Sequence, residues 1–176
     1  YKIYYLDRVF PRGNLNGAKR LICCDLKNFS RLRKILTRLK PRIIFHLAGS
    51  GISINHSWRD FFDMNFTTTK TLLEAVNSIK GFRPRIVLMG SAAEYGKPVV
   101  PVVSKKRYIA INEDFPLNPV SAYGCVKALQ TILARYYESV CGNDIVIVRP
   151  FNIIGPDMSP HTAIGNFQRQ IKEIIF

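Results

Sequence analysis

Apolar residues in this chain follow two rhythms. Short, nearly unbroken apolar runs occupy residues 2–6 (K-I-Y-Y-L), 20–25 (R-L-I-C-C-D), 42–47 (R-I-I-F-H-L), 85–89 (R-I-V-L-M) and 144–148 (D-I-V-I-V). Runs of that length without strict alternation are expected of β-strands covered on both faces. Between them, apolar positions recur at helical spacing. Leu32, Ile35, Leu36 and Leu39 mark a helix from Asn28 to Lys40, stopped by Pro41. Residues 58–80 and 119–141 form two longer helices, each followed by a glycine, Gly81 and Gly142, suited to a C-terminal cap. A last amphipathic stretch, Ile164 to Ile175, begins another helix. Strand and helix in strict alternation predict a parallel sheet built from right-handed crossovers, a doubly wound α/β domain. Ligands of such sheets bind beyond the carboxyl ends of the strands.

Composition narrows the picture. With 176 residues, 47% of them hydrophobic, the chain can build one real core. It holds no run of 18 apolar residues, so no membrane-spanning helix is expected. The opening residues, Y-K-I-Y-Y-L-D-R, read as a strand in progress rather than as a signal peptide. The four cysteines (Cys23, Cys24, Cys125, Cys141) lack metal-site spacing. No metal is expected, and reduced thiols in the apolar run at 23–24 suit the cytoplasm. The net charge of +14, from 26 Lys+Arg against 12 Asp+Glu, suits anionic partners. The cations are dispersed, however. Arg31, Arg33, Lys34, Arg38 and Lys40 decorate one helix and Lys105, Lys106 and Arg107 one loop, with no zinc-finger, helix-turn-helix or RNA-binding strand pattern. Solvated helix faces account for most of this charge. A nucleic-acid-binding module is a rival reading, to be recognised by a steep salt dependence.

The strand ends carry the candidate chemistry. Asp7 and Asp25 are acidic tips of the first two strands, and an acid there can accept bonds from an adenosine ribose. The third strand runs into Leu47, Ala48 and Gly49, small enough at its end for close backbone approach. His46, among apolar neighbours, reads as a packing residue. Ser91 lies just beyond the fourth strand. Tyr123 and Lys127, four residues apart at the start of a helix, share one face.

Seven motifs occur in a fixed order: L-D-R (6–8), C-D-L (24–26), I-I-F-H-L-A-G (43–49), M-N-F-T-T-T (64–69), G-S-A-A-E-Y-G (90–96), P-V-S-A-Y-G-C-V-K (119–127) and R-P-F-N-I-I-G-P (149–156). In this the chain resembles, almost end to end, the extended short-chain dehydrogenase/reductases, the NAD(P)-dependent nucleotide-sugar epimerases, dehydratases and reductases. The resemblance implies a Rossmann-like fold and a catalytic set of Ser91, Tyr123 and Lys127. It implies NAD or NADP bound by Asp7, Arg8, Asp25, Leu26, Leu47, Ala48, Gly49, Asn65, Tyr123, Lys127 and Pro150. A nucleotide-sugar substrate would meet Ser91, Glu94, Asn152 and Arg169, and a homodimer is expected. The residue types suit the chemistry. A free tyrosine, with a pKa of about 10, is a poor base at neutral pH. A neighbouring ammonium favours its phenolate and brings it toward the useful range.

Two departures from the family pattern matter. The glycine-rich G-x-x-G-x-x-G turn that holds a cofactor pyrophosphate does not precede Tyr1, and G-N-L-N-G (13–17) has the wrong spacing and follows the wrong strand. The expectation is therefore a piece of a longer protein lacking the central strand. Residues 1–156 would be its cofactor-binding domain, and 157–176 the start of a substrate-binding region. Second, family dehydratases resemble T-D-E or T-S-E where this chain has Ser91, Ala92 and Ala93. Alanine can act as neither acid nor base, so elimination and the related decarboxylation drop out. Epimerases and 4-keto reductases remain. The loop at 90–96 and the segment G-N-F-Q-R-Q-I-K-E-I (165–174) resemble GDP-4-keto-6-deoxy-mannose reductases, so reduction is favoured, with 4-epimerisation and a non-catalytic family member as alternatives.

Overall fold

A computed structural model describes residues 2–9, 20–51, 57–97, 110–155 and 163–175. The glycines at 13 and 17, the basic triplet at 105–107 and the expected domain boundary at 156–157 lie outside the described residues.

Strands β1 (Tyr5–Asp7) and β2 (Leu21–Cys23) pair in parallel. A second parallel ladder orders β3 (Ile43–His46), β4 (Arg85–Met89) and β5 (Asp144–Val148) as β3-β4-β5, in the register Ile43–Arg85–Asp144. The parallel α/β fold is as the sequence predicts. It is divided, however, because the described strands form two ladders and not one continuous sheet.

Helix α1 (Phe29–Leu39) starts where Asn28 Oδ1 accepts the Arg31 N–H at 3.0 Å and ends at Lys40, whose φ of 42° turns the chain before Pro41. Helix α4 (Ala122–Cys141) begins three residues later than expected. Ser121 is its cap, taking the Gly124 N–H at 3.0 Å, and it closes on Gly142 with φ 66°. Gly81 also has a positive φ, 71°, but lies beyond a helix that has already ended. The stretch expected as one helix over 58–80 is three segments: α2 (Trp58–Phe61), a π-helical turn (Phe62–Thr67) and α3 (Thr68–Asn77). Helix α5 (Ala163–Ile175) follows.

One apolar cluster joins the two ladders. Leu32, Ile35 and Leu36 of α1, Leu72, Leu73 and Val76 of α3, and Ala134 of α4 pack with Cys24, Ile86, Leu88 and Ile145. On the opposite side of the strands, Ile43, Phe45, Leu47, Val146 and Val148 are exposed. Coverage on both faces, expected from the unbroken apolar runs, is thus seen on one face only among the described residues. Within the β3-β4-β5 ladder the strands run parallel, which brings the loops after β3 and β4 to one end, where the start of α4 packs.

Candidate active site

Residue Ser91 follows β4 and caps the short turn Ala92–Glu94. Its Oγ accepts the Ala93 N–H at 3.2 Å, and its own N–H is held by Glu94 Oε1 at 2.8 Å. The turn is tied across to the end of β5, where the Ala92 N–H reaches Pro150 O at 3.0 Å. Helix α4 sits against it. A Cβ on Gly124 would be 3.2 Å from the Ala93 carbonyl carbon, so glycine is what lets the Tyr123 end of the helix approach.

Tyr123 is half-buried, its ring edge-on to Phe61 at 5.8 Å between centroids. One turn on, Lys127 is only 5% exposed. Its ammonium donates to Met89 O at 2.9 Å and stands 5.9 Å from the Tyr123 ring centre. Burial pushes its pKa down to about 8, against the upward pull of the Glu94 carboxylate. An amine near pH 8 can gain or lose a proton within the working range of an enzyme.

A buried polar layer backs the pair. Thr69 Oγ1 donates its one hydrogen to Asn65 O at 2.8 Å and accepts from Gln130 Nε2 at 2.6 Å. Its remaining contact, His46 Nε2 at 3.0 Å, must then come from an Nε2–H. His46 is neutral: burial, and next Lys127, lower its pKa to about 4. It is a packing residue, as the sequence suggests. Asn65 lies in the π-helical turn, its Nδ2 donating to Phe61 O at 3.0 Å and to Ser50 O at 3.4 Å. Its Oδ1 is buried and unpartnered. A Cβ on Gly49 would collide with that oxygen and come within 3.8 Å of Lys127 Nζ. Gly49, Asn65, Lys127, Tyr123, Ser91 and Pro150 are therefore brought together.

Other expected residues are not. Asp7 is exposed, its Oδ1 taking the Val9 N–H at 3.2 Å, while the Arg8 carbonyl accepts from Cys23 Sγ. Asp25 holds the Lys27 N–H at 2.9 Å, and Leu26 packs on the core. Leu47 and Asn152 are exposed and Ala48 half-buried. Arg169 is exposed on α5, bound to Glu173 at 2.6 Å and Asn166 at 3.1 Å. Glu94 calls for a correction. Expected to meet substrate, it is 0% exposed with both carboxylate oxygens taken by the protein. Sequence reading also missed Gly124, Thr131 and Arg149. Two of these stood inside quoted motifs, and Thr131 continues the four-residue spacing of Tyr123 and Lys127.

The profile of the NAD dependent epimerase/dehydratase family matches residues 1–174. The chain belongs to that family. It is 31% identical over 137 residues to a UDP-glucose 4-epimerase of Mycolicibacterium smegmatis, covering 76% of this chain and 41% of that protein. It is 30% identical over 169 residues to a D-erythronate dehydrogenase of Cupriavidus necator, covering 94% of this chain and 48% of the relative. Among solved structures, a UDP-glucuronic acid 4-epimerase from Bacillus cereus in complex with NAD superposes with a TM-score of 0.71 at 27% identity, over 90% of this chain and 47% of the other. The chain thus spans less than half the length of these relatives. Among its described residues no helix is long and apolar enough to cross a membrane.

Proposed function

We propose that this chain supplies the proton-transfer site of an NAD(P)-dependent enzyme that interconverts an alcohol and a ketone on a nucleotide sugar. The observation that carries the reading is the Tyr123 phenol one turn before a buried ammonium, beside the serine that ends β4. The site fits the nicotinamide end of the cofactor. Lys127 has N–H donors beyond the one given to Met89 O, Asn65 Oδ1 is unpartnered, and Gly49 leaves the approach to both open. Bound there, the cofactor would accept or return a hydride. Tyr123 takes the hydroxyl proton of the substrate or gives it back, Lys127 stabilises the phenolate, and Ser91 donates to the substrate oxygen.

Within that class 4-epimerisation is the first reading, because the UDP-glucose and UDP-glucuronic acid relatives carry that activity in their names. Net reduction of a 4-keto sugar nucleotide, such as GDP-4-keto-6-deoxy-mannose, is the second. It is favoured by the resemblance of the loop at 90–96 and of the 165–174 segment to such reductases. The two separate in the complete polypeptide that carries this chain. An epimerase turns over many UDP-sugars without net change in NADH absorbance, whereas a reductase consumes one reduced cofactor per product. D-Erythronate with NAD is the control for a substrate without a nucleotide. Tyr123→Phe removes only the phenolic oxygen and should lower turnover roughly 10²–10⁴-fold. Near-normal turnover in a folded Tyr123→Phe protein would remove the mechanism.

A further inference from the structure

One buried group in this site has no part in proton transfer as described. Glu94 is fully enclosed, and its carboxylate is a junction of three elements. Oε1 takes the Ser91 N–H at 2.8 Å; Oε2 takes the Thr131 hydroxyl at 2.7 Å and Arg149 Nε at 2.9 Å. Thr131 lies one turn beyond Lys127, so Tyr123, Lys127 and Thr131 form a single stripe along α4. Ser91 is at the end of β4 and Arg149 at the end of β5. Arg149 is itself fixed, giving Nη1 to Tyr95 Oη and to Glu113 O, each at 3.1 Å, with its guanidinium 5.3 Å over the Tyr95 ring. The backbone of the same residue is also engaged: the Glu94 N–H reaches Ser91 O and its carbonyl takes the Asn118 N–H, both at 3.1 Å. Space for the carboxylate comes from Gly90, where a Cβ would collide with Oε1 and stand 3.2 Å from Val148 O.

We propose that Glu94 is a positioning residue: its carboxylate locks the Ser91 loop to the catalytic face of α4 and, bonded to Thr131, fixes a negative charge one helical turn from the Lys127 ammonium. The inference rests on the proton-transfer reading of Lys127. An unpaired carboxylate would be too costly to bury here, and Arg149 offsets part of that cost. Among the described residues, the charged and titratable groups facing Lys127 are few. They are neutral His46 from β3, Tyr123 from its own helix, and Glu94 from the turn after β4, with Arg149 behind it. Of these Glu94 is the one anion, and it raises the Lys127 pKa against burial.

The test is proton binding at Lys127 in the complete polypeptide, read from its ¹³Cε resonance against pH and assigned with Lys127→Arg. Glu94→Gln keeps the shape and removes the charge. The titration midpoint should fall below its wild-type position near 8 by about one unit or more, the scale of a lost neighbouring charge. Turnover should fall as well, with its optimum displaced toward acid. Should Glu94→Gln not fold because Arg149 is left unpaired, Glu94→Gln with Arg149→Met removes both charges and should lower the midpoint in the same direction. An unmoved midpoint in a folded variant overturns the proposal. Because the resonance reports protonation and not catalysis, that result stays distinct from a failure of the enzyme reading, which the wild-type turnover assay decides.

Discussion

The β1-β2 ladder and the β3-β4-β5 block treat their polar residues in opposite ways. At the tips of β1 and β2, Asp7 and Asp25 each hold a backbone N–H two residues away, and Asp7 is open to solvent. Around β4 and α4, the groups converging on Tyr123 and Lys127 are buried, and most are bonded across more than twenty residues of sequence: His46 to Thr69, Gln130 to Thr69, Thr131 and Arg149 to Glu94. In the proposed reaction a proton moves between fixed atoms, and preorganised dipoles assist this at no reorganisation cost. Recognition of a flexible ligand's far end tolerates a looser surface. The two regions therefore predict different responses to mutation.

The largest effect should come from the block. Arg149→Met leaves the fully enclosed Glu94 carboxylate without its cation, and breaking a buried pair in this way typically costs roughly 3–5 kcal/mol. Urea unfolding would show it, and a loss well below 1 kcal/mol would mean that the pair is less enclosed than its geometry indicates. Next comes acid sensitivity. His46 binds a proton at about 4 in the fold against 6.5 when free. Between those values the unfolded chain holds more protons than the folded one, so stability rises with pH there and is lost on acidification. The depressed pKa makes this worth a few kcal/mol, at about 1.36 kcal/mol per unit. Stability measured from pH 7 to 4 should decline, and the slope should flatten in His46→Gln. The smallest effect belongs to the other ladder. Asp7→Asn should change stability by no more than about 0.5 kcal/mol, as exposed substitutions do. If the carboxylate repels a 2′-phosphate, the same change should shift preference toward NADPH by about tenfold, or roughly 1.4 kcal/mol. The ratio of kcat/KM for the two cofactors decides it.

What could be read from sequence follows the same division. Strands β4 and β5 were legible to the residue, because short apolar runs that open on a charged residue and close at a glycine or an arginine leave little choice. Tyr123 and Lys127 were legible because their spacing is a property of one helix. Glu94 was not. A glutamate in a loop reads as solvent-facing, and its burial depends on Arg149, 55 residues away. Asn65 was singled out by resemblance, yet its setting stayed hidden, since a π-helical turn leaves the apolar rhythm of 58–80 nearly unchanged.

That turn constrains how this stretch can be shortened. Over Phe62–Thr67 the chain carries more residues per turn than the α-helices on either side. Deleting one residue there would restore ordinary winding and leave Trp58–Phe61 nearly in phase with Thr68–Asn77, because six residues of the wider turn sweep about the same angle as five of an α-helix. Phe61 would keep its place at the edge of the Tyr123 ring, while its carbonyl, which now accepts from the Asn65 amide, would return to the helical ladder. The surplus residue therefore serves Asn65 and not the phase of the flanking helices: the stretch can lose a residue inside the turn, whereas a deletion between the turn and Trp58 would rotate that end by roughly 100°.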